Sequence, residues 1–225
     1  MTHRPEALDK FQRRISYFFE DRSLLVLALT HRSFGHKNNE RLEYLGDSIL
    51  GFVIAEALYR RFSTLSEGDL TKMRSRLVRG QTLSSIAREL EFGEMILLGS
   101  GELKSGGADR DSILADAFEA VIGGIYLDGG MESARAYVLA RFQTLLDTIS
   151  PKQLKDSKTR LQEMLQKRGL PLPTYAVLGQ TGEQHNLIFT VSCTITEPAG
   201  SFEATGSSRR LAEQKAAQLA LSALD

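Results

Sequence analysis

The chain has a single cysteine, Cys193, so it can form neither an internal disulfide nor a zinc site built from cysteines, and it fits a reducing compartment. No apolar run approaches the roughly 18 residues that a membrane helix needs, which leaves no candidate for a bilayer span. Met1 to Ile15 are charged and lack the continuous apolar stretch of a secretory signal; with the lone cysteine, this makes a cytoplasmic location the expectation. An excess of charge of one sign is also missing. The 225 residues balance 28 Lys and Arg against 28 Asp and Glu, whereas a nucleic-acid binder is expected to be basic overall. Nine of the basic and seven of the acidic residues lie from Pro151 to Asp225, leaving 19 and 21 in the first 150 residues. That difference is too small to argue from, so any case for a charged partner rests on where the charges fall. No internal repeat or low-complexity tract is visible.

What is present is a change of pattern partway along. From Leu8 to about Leu146 apolar residues recur at three- and four-residue spacing, which predicts a helical bundle. The helices expected are Leu8 to Ile15, Ser23 to Thr30, Asn39 to Phe62, Glu67 to Val78, Gln81 to Leu90, Asp111 to Leu127 and Met131 to Thr148. Gly99 to Gly107 reads as a loop, and Asp128-Gly129-Gly130 closes a helix. Ser150-Pro151 ends this domain, and residues 150–156 form a short charged linker. Beyond it, Ser157 to Lys167 is helical and Tyr175 to Leu178 forms a strand. Leu187 to Thr196 then alternates Leu187, Phe189, Val191, Cys193 and Ile195 with mostly polar neighbours, the period of a half-buried strand. A turn at Glu197-Pro198-Ala199-Gly200 leads to a strand from Ser201 to about Thr205, and a last helix spans Arg209 to Leu224. The fold class is therefore an all-α helical domain, residues 1–149, followed by a small α+β domain of α-β-β-β-α order, residues 157–225.

Two helices carry acids of matching design. Glu40, Glu43 and Asp47 stand at i, i+3 and i+7, which an α-helix gathers within roughly 60° of one face. Leu42, Leu45 and Ile49 fall opposite. Asp116 and Glu119 are three apart, with Leu114, Val121 and Ile125 on the other side. Acids on the polar face of an amphipathic helix are often only solvated, and spacing alone does not decide the matter. If the two acidic faces meet, each pair of carboxylates about 5 Å apart repels by roughly 3 kcal/mol at an effective dielectric near 20, and the cluster calls for a cation. Oxygen-only ligands suit magnesium or manganese better than zinc. Such ions polarise a phosphate and activate water.

Asn39-Glu40-Arg41-Leu42-Glu43-Tyr44-Leu45-Gly46-Asp47 is similar to the nine-residue signature of the ribonuclease III family. The likeness continues through Glu67-Gly68-Asp69, Arg76-Leu77-Val78, Leu98-Gly99-Ser100-Gly101-Glu102 and Leu114-Ala115-Asp116-Ala117-Phe118-Glu119-Ala120. The resemblance implies that Glu43, Asp47, Asp116 and Glu119 ligate Mg2+, for which Mn2+ can substitute, with Asp47 and Glu119 the most sensitive positions. It implies supporting roles for Glu40 and Glu67. On a helical wheel Tyr44 lies beside the acids, and it resembles the family's aromatic knob, usually Phe, that enters a second subunit; this implies a homodimer. Ser48 stands where the family commonly has Ala.

In the second domain Thr159, Gln162, Glu163 and Gln166 share a polar, mostly uncharged helix face, suited to the shallow minor groove of A-form RNA with its 2′-hydroxyls. Ser207-Ser208-Arg209-Arg210 opens the last helix, where backbone N–H groups, the helix dipole and two guanidinium groups converge for a phosphate. His185 precedes the second strand and is placed to reach a neighbouring minor groove. With Gly169-Leu170-Pro171, Phe189-Thr190-Val191 and Ala212-Glu213-Gln214 these features resemble a double-stranded RNA-binding domain, although that family more often has Lys-Lys at Arg209-Arg210. The expected RNA-binding residues are thus Thr159, Gln162, Gln166, His185, Ser208, Arg209 and Arg210. Together the resemblances imply an endoribonuclease for double-stranded RNA. Its products would carry 5′-phosphate and 3′-hydroxyl ends with two-nucleotide 3′ overhangs, and its targets would be ribosomal RNA precursors and structured transcripts. No membrane partner and no nucleotide cofactor are implied. The alternatives are a non-catalytic duplex-RNA-binding protein on a nuclease-like scaffold and a metal-dependent hydrolase of small phosphate esters, which leaves the second domain without a purpose.

Overall fold

Proline at the first helical position and serine or aspartate just before a helix set several of the N-terminal elements. α1 (Pro5–Ile15) begins on Pro5, whose missing N–H costs nothing there. Asp21 caps α2 (Arg22–Ala28) by accepting from the Ser23 N–H, and Ser66 caps α4 (Glu67–Leu77) by accepting from the Asp69 N–H. α3 (Glu40–Arg61), α5 (Gly80–Glu89) and α6 (Ser100–Lys104) complete the shorter helices before α7 (Asp111–Thr148). The computed structural model describes residues 5–150, 157–182 and 187–224, so His185 and residues 151–156 of the expected linker lie outside the described residues. The chain divides into two units, Met1–Ile149 and Ser150–Asp225.

In the first unit α3 and α7 pack against one another more extensively than any other helix pair described. Leu42, Ile49, Leu50 and Val53 on α3 and Leu114, Phe118, Val121 and Ile125 on α7 are all buried. Aromatic rings tie the remaining elements to this pair: Phe11 of α1 meets Phe92 edge-on at 5.0 Å, Phe92 sits 5.9 Å from Phe118, and Phe118 6.4 Å from Phe142. The helices expected on either side of Asp128-Gly129-Gly130 are both there, but they run end to end through a kink at Gly130, whose φ of 76° suits glycine. The stretch 99–107, read from its glycines as a loop, contains α6. Glu102 of that helix is ion-paired with Arg110 at 2.5 Å, an interaction with no periodic signature in sequence.

The second unit has α8 (Ser157–Lys167), β1 (Thr174–Thr181), β2 (Ile188–Thr196), β3 (Ala199–Gly206) and α9 (Arg209–Leu224). The sheet is antiparallel in the order β1-β2-β3. Val191, Cys193 and Ile195 are buried, as their alternation requires, and Cys193 and Ile195 join Leu161 and Leu165 of α8 and Ala216, Ala217, Ala220 and Leu221 of α9 in one core. The alanines let α9 lie close to the strands. β1 outruns the expected Tyr175 to Leu178 because its register shifts between Val177 and Gly179, and such a bulge interrupts the two-residue period. β3 begins at Ala199 rather than Ser201, which shortens the turn before it to Glu197-Pro198. Cys193 is a core residue whose thiol burial pushes up, away from reactive thiolate.

Candidate metal centre and nucleic-acid interface

The carboxylates meet because α3 and α7 touch backbone to backbone. A Cβ on Gly46 would collide with the carbonyl oxygen of Glu119, and a Cβ on Gly123 with the carbonyl oxygen of Leu42. The crossing therefore needs glycine on both helices. Glu43 lies three residues before Gly46 and Asp47 one after it, while Glu119 lies four before Gly123, so the crossing sets the acids of the two helices side by side. One carboxylate oxygen each from Glu43, Asp116 and Glu119 lies within 4.8 Å of the other two, and all three side chains are half-buried.

The charges record this crowding. Glu119 is pushed up from 4.5 to about 8, first by burial and then by Asp47, Asp116 and Glu43. Glu43 is raised by burial and by Asp116, Glu40 and Asp47, with Arg32 opposing. Burial also raises Asp116, against His31 and Arg32. Asp47 is exposed and stands at the edge of the group, close enough to repel both Glu43 and Glu119. Glu40, also exposed, lies 3.7 Å from Arg32 and adds to the field on Glu43. An all-oxygen donor set, partly desolvated and mutually repelling, fits a hard divalent cation.

Glu67 stands apart from these acids. It opens α4, accepts a hydrogen bond from the Thr71 hydroxyl at 2.8 Å, and lines a mostly apolar cavity of about 350 Å³ with Phe52, Tyr59, Leu70 and Arg74. Tyr44 is 78% exposed, and Phe52 (53%) and Tyr59 (72%) follow it along the same helix.

Two basic residues at the cluster, His31 and Arg32, had no sequence signal. Their segment lacks periodicity, and what brings it in is a parallel bridge between Thr30 and Leu97. Glu102 falls in a stretch that the sequence singles out, yet its closeness to His31 depends on the same bridge.

In the second unit Thr159 and Gln166 are exposed and Gln162 half-buried on α8, and Ser208, Arg209 and Arg210 are exposed around the start of α9. A cleft of about 530 Å³ brings together Lys158, Thr159, Gln162, Arg209 and Arg210. Gln166 and Ser208 do not line it; the Ser208 hydroxyl accepts from the Leu211 N–H and caps the helix. Lys158 was missed in sequence because nothing marks it until α8 and α9 pack. Its Nζ lies 2.6 Å from Glu213 and 4.3 Å from the Tyr175 ring centre. Arg209 holds the other oxygen of Glu213 at 2.9 Å, and the two cations keep this 8%-exposed carboxyl below the usual range. Arg210 has no ion pair with any described residue.

Residues 21–146 match the family described as Ribonuclease-III-like, and residues 157–224 match the double-stranded RNA binding motif. The nuclease domain of ribonuclease III from Campylobacter jejuni is similar to this chain with a TM-score of 0.60 at 42% identity, covering 61% of this chain and 96% of that one. A second structure of that domain, at 2.2 Å, gives 0.60 at 41% identity over 64% of this chain and 98% of that one.

A carboxyl whose folded value is raised favours the folded state while protonated. The contribution of Glu119 is complete below about 4.5 and is lost as the pH rises through about 8. Without divalent cations, a Glu119→Gln protein should melt a few degrees above the parent at about pH 9 and at nearly the same temperature at about pH 4.5, since roughly 2–4 °C accompanies each kcal/mol in a chain of this size. Thermal unfolding followed by circular dichroism reads this, and coincident melting at both pH values would show that neither burial nor like charge disfavours the ionised Glu119.

Proposed function

Since the chain belongs to the ribonuclease III family and carries the double-stranded RNA-binding motif, it is an endoribonuclease specific for double-stranded RNA, and we propose that it cleaves as a magnesium-dependent homodimer in the cytoplasm. The single observation that carries the catalytic reading is the convergence of Glu43, Asp116 and Glu119. A non-catalytic RNA-binding scaffold has no reason to hold a carboxyl at about 8 by burial and like charge.

Glu43, Asp116 and Glu119, with Asp47 at the edge, would hold the ions, Mg2+ first and Mn2+ in its place. When bound, these ions supply Lewis-acid polarisation of the phosphodiester and activation of the attacking water. Glu119, held at about 8 by burial and like charge, would have to give up its proton to ligate an ion. Arg32 moderates the field on Glu43 and Asp116. Expulsion of the 3′-oxygen leaves 5′-phosphate and 3′-hydroxyl ends, and two centres acting on opposite strands would give two-nucleotide 3′ overhangs. Ribosomal RNA precursors and structured transcripts are the proposed substrates.

Duplex RNA would be gripped by the second unit. Thr159, Gln162 and Gln166 would face a minor groove and its 2′-hydroxyls, Ser208, Arg209 and Arg210 would face phosphates, and from its place in the sequence His185 would contact a neighbouring minor groove. Arg210, with no acid to release among the described residues, is the strongest phosphate contact of the set. The exposed aromatic stripe of Tyr44, Phe52 and Tyr59 supports a second copy as its cover. Glu67, on the rim of the neighbouring cavity, would then serve a reaction centre only across that interface. The Campylobacter domain has a region involved in dimer formation.

Incubating a labelled RNA hairpin with the protein, with and without magnesium, tests the core of this reading. Glu119→Gln and Asp47→Asn should bind the hairpin like the parent and cleave it at least about 100-fold more slowly, the scale of removing a major charge-stabilising group; parental cleavage by both sinks the assignment. Arg210→Ala should weaken duplex binding and lower the salt slope of log K by about one, and an unchanged slope would remove Arg210 from the contact set. Tyr44→Asp should turn the dimer into a monomer at micromolar concentration in sedimentation equilibrium, and a parent that is itself monomeric there would refute the homodimer.

A further inference from the structure

His31 is fixed on both sides. Thr30 bridges Leu97, the His31 N–H donates to the Leu97 carbonyl at 3.0 Å, and the Asn39 N–H donates to the Thr30 carbonyl at 2.8 Å. Asn39 is buried, donates its side-chain amide to the Ala28 carbonyl, and directly precedes Glu40 at the start of α3. The segment bearing His31 is thus pinned to the same helix as Glu43 and Asp47. Beyond it, the Gly99 N–H donates to the Ser33 hydroxyl oxygen at 3.0 Å, an approach so close that a Cβ on Gly99 would collide with the Ser33 carbonyl oxygen.

This anchoring settles which ring nitrogen carries the proton. The Ser33 backbone N–H donates to Nδ1 of His31 at 3.2 Å, and the Ser33 hydroxyl lies 2.8 Å from the same nitrogen. A backbone amide can only donate, so Nδ1 is the unprotonated nitrogen and the proton of the neutral ring is on Nε2. Nε2 has no hydrogen-bond partner among the described residues. Burial holds the imidazole below its usual range although Glu102, Asp116 and Glu40 pull the other way and Arg32 adds to the lowering. Among the described residues no carboxylate accepts this N–H, although Glu102, Asp116 and Glu40 all act on the ring and the adjoining Arg32 lies 3.7 Å from Glu40. In this tautomer neither nitrogen offers a free lone pair, which makes the ring unsuited to ligate a cation.

We propose that His31 donates its Nε2–H to a non-bridging oxygen of the phosphate being cleaved and so positions that phosphate at the cluster. The assignment rests on the carboxylate cluster being the reaction centre. A neutral donor adds hydrogen-bond strength toward a phosphate anion without forming an ion pair with Asp116 or Glu102, which a lysine at this place would do.

Asparagine and glutamine separate the two ring nitrogens. Asn places its amide near Nδ1 and can keep the contacts to Ser33; Gln reaches to Nε2 and can keep the outward donor. Single-turnover cleavage of an RNA hairpin at saturating protein with magnesium, together with hairpin binding without divalent cations, is measured for both. His31→Asn is expected to cleave roughly 10- to 100-fold more slowly, the scale of one hydrogen bond to a charged group, with unchanged hairpin affinity and melting temperature. His31→Gln is expected to keep most of the parental rate. A purely structural histidine gives the opposite order, with Asn benign and Gln damaging, and that order overturns the proposal. So does parental cleavage by His31→Asn, or a Gln variant as slow as the Asn one. Glu119→Gln is run alongside: if it cleaves like the parent, the reaction centre is misplaced and both readings fall, whereas if it is inactive and His31→Asn is not impaired, only the role of His31 falls.

Discussion

The site depends on one close helix crossing. Where Gly46 faces Glu119 and Gly123 faces Leu42, the backbones of α3 and α7 are in contact, and no side chain intervenes to hold the acids apart. Each additional atom at the crossing would widen it, and the carboxylates one turn away would separate with it. Both helices bury apolar residues, Leu42, Ile49 and Leu50 on one and Phe118, Val121 and Ile125 on the other, and that burial favours their packing. It works against the like charges at its edge. Fold stability and charge repulsion are thus coupled at a single place, and the repulsion is relieved by a proton on Glu119 or by a cation. Because both ligands occupy the same few ångströms, they exclude one another, which is how a structural constraint becomes a chemical one.

Much of this could be read before any coordinates. The i, i+3, i+7 spacing of Glu40, Glu43 and Asp47 and the i, i+3 spacing of Asp116 and Glu119 encode two acidic faces, and Leu114, Val121 and Ile125 encode the buried side opposite. Helical periodicity is a local property, so faces are legible and meetings between faces are not. Glu67 illustrates the limit: it belongs to a recognisable acidic stretch, yet in the fold it lines a cavity away from the other acids. His31 and Arg32 illustrate the converse, since an aperiodic segment reached the cluster through its pairing with Leu97 and Gly99. Strand boundaries failed for a related reason, because the bulge in β1 and the early start of β3 are set by pairing with β2.

The balanced net charge, awkward for an RNA-binding chain, is resolved by local arrangement. In the second unit two cations, Lys158 and Arg209, share one nearly buried acid, Glu213, and Arg210 has no acid at all among the described residues. The shared carboxylate orders the two cations, which reduces the side-chain entropy lost when a phosphate arrives. A compact patch of fixed cations next to the mostly uncharged polar face of α8 suits recognition of a duplex by shape without a large basic excess.

The first unit has the opposite problem. Its candidate site is a cluster of carboxylates, and a phosphate brought there alone would meet Glu43, Asp47 and Asp116 as like charges beside a protonated Glu119. Neither neutral His31 nor exposed Arg32 is sufficient to offset these acids. RNA affinity must therefore come from elsewhere, and the second unit supplies it, while the cation makes the acidic face habitable for a phosphate. Binding and cleavage are separated onto two units because one surface cannot both carry the negative charge that holds divalent ions and provide the positive charge that holds a duplex.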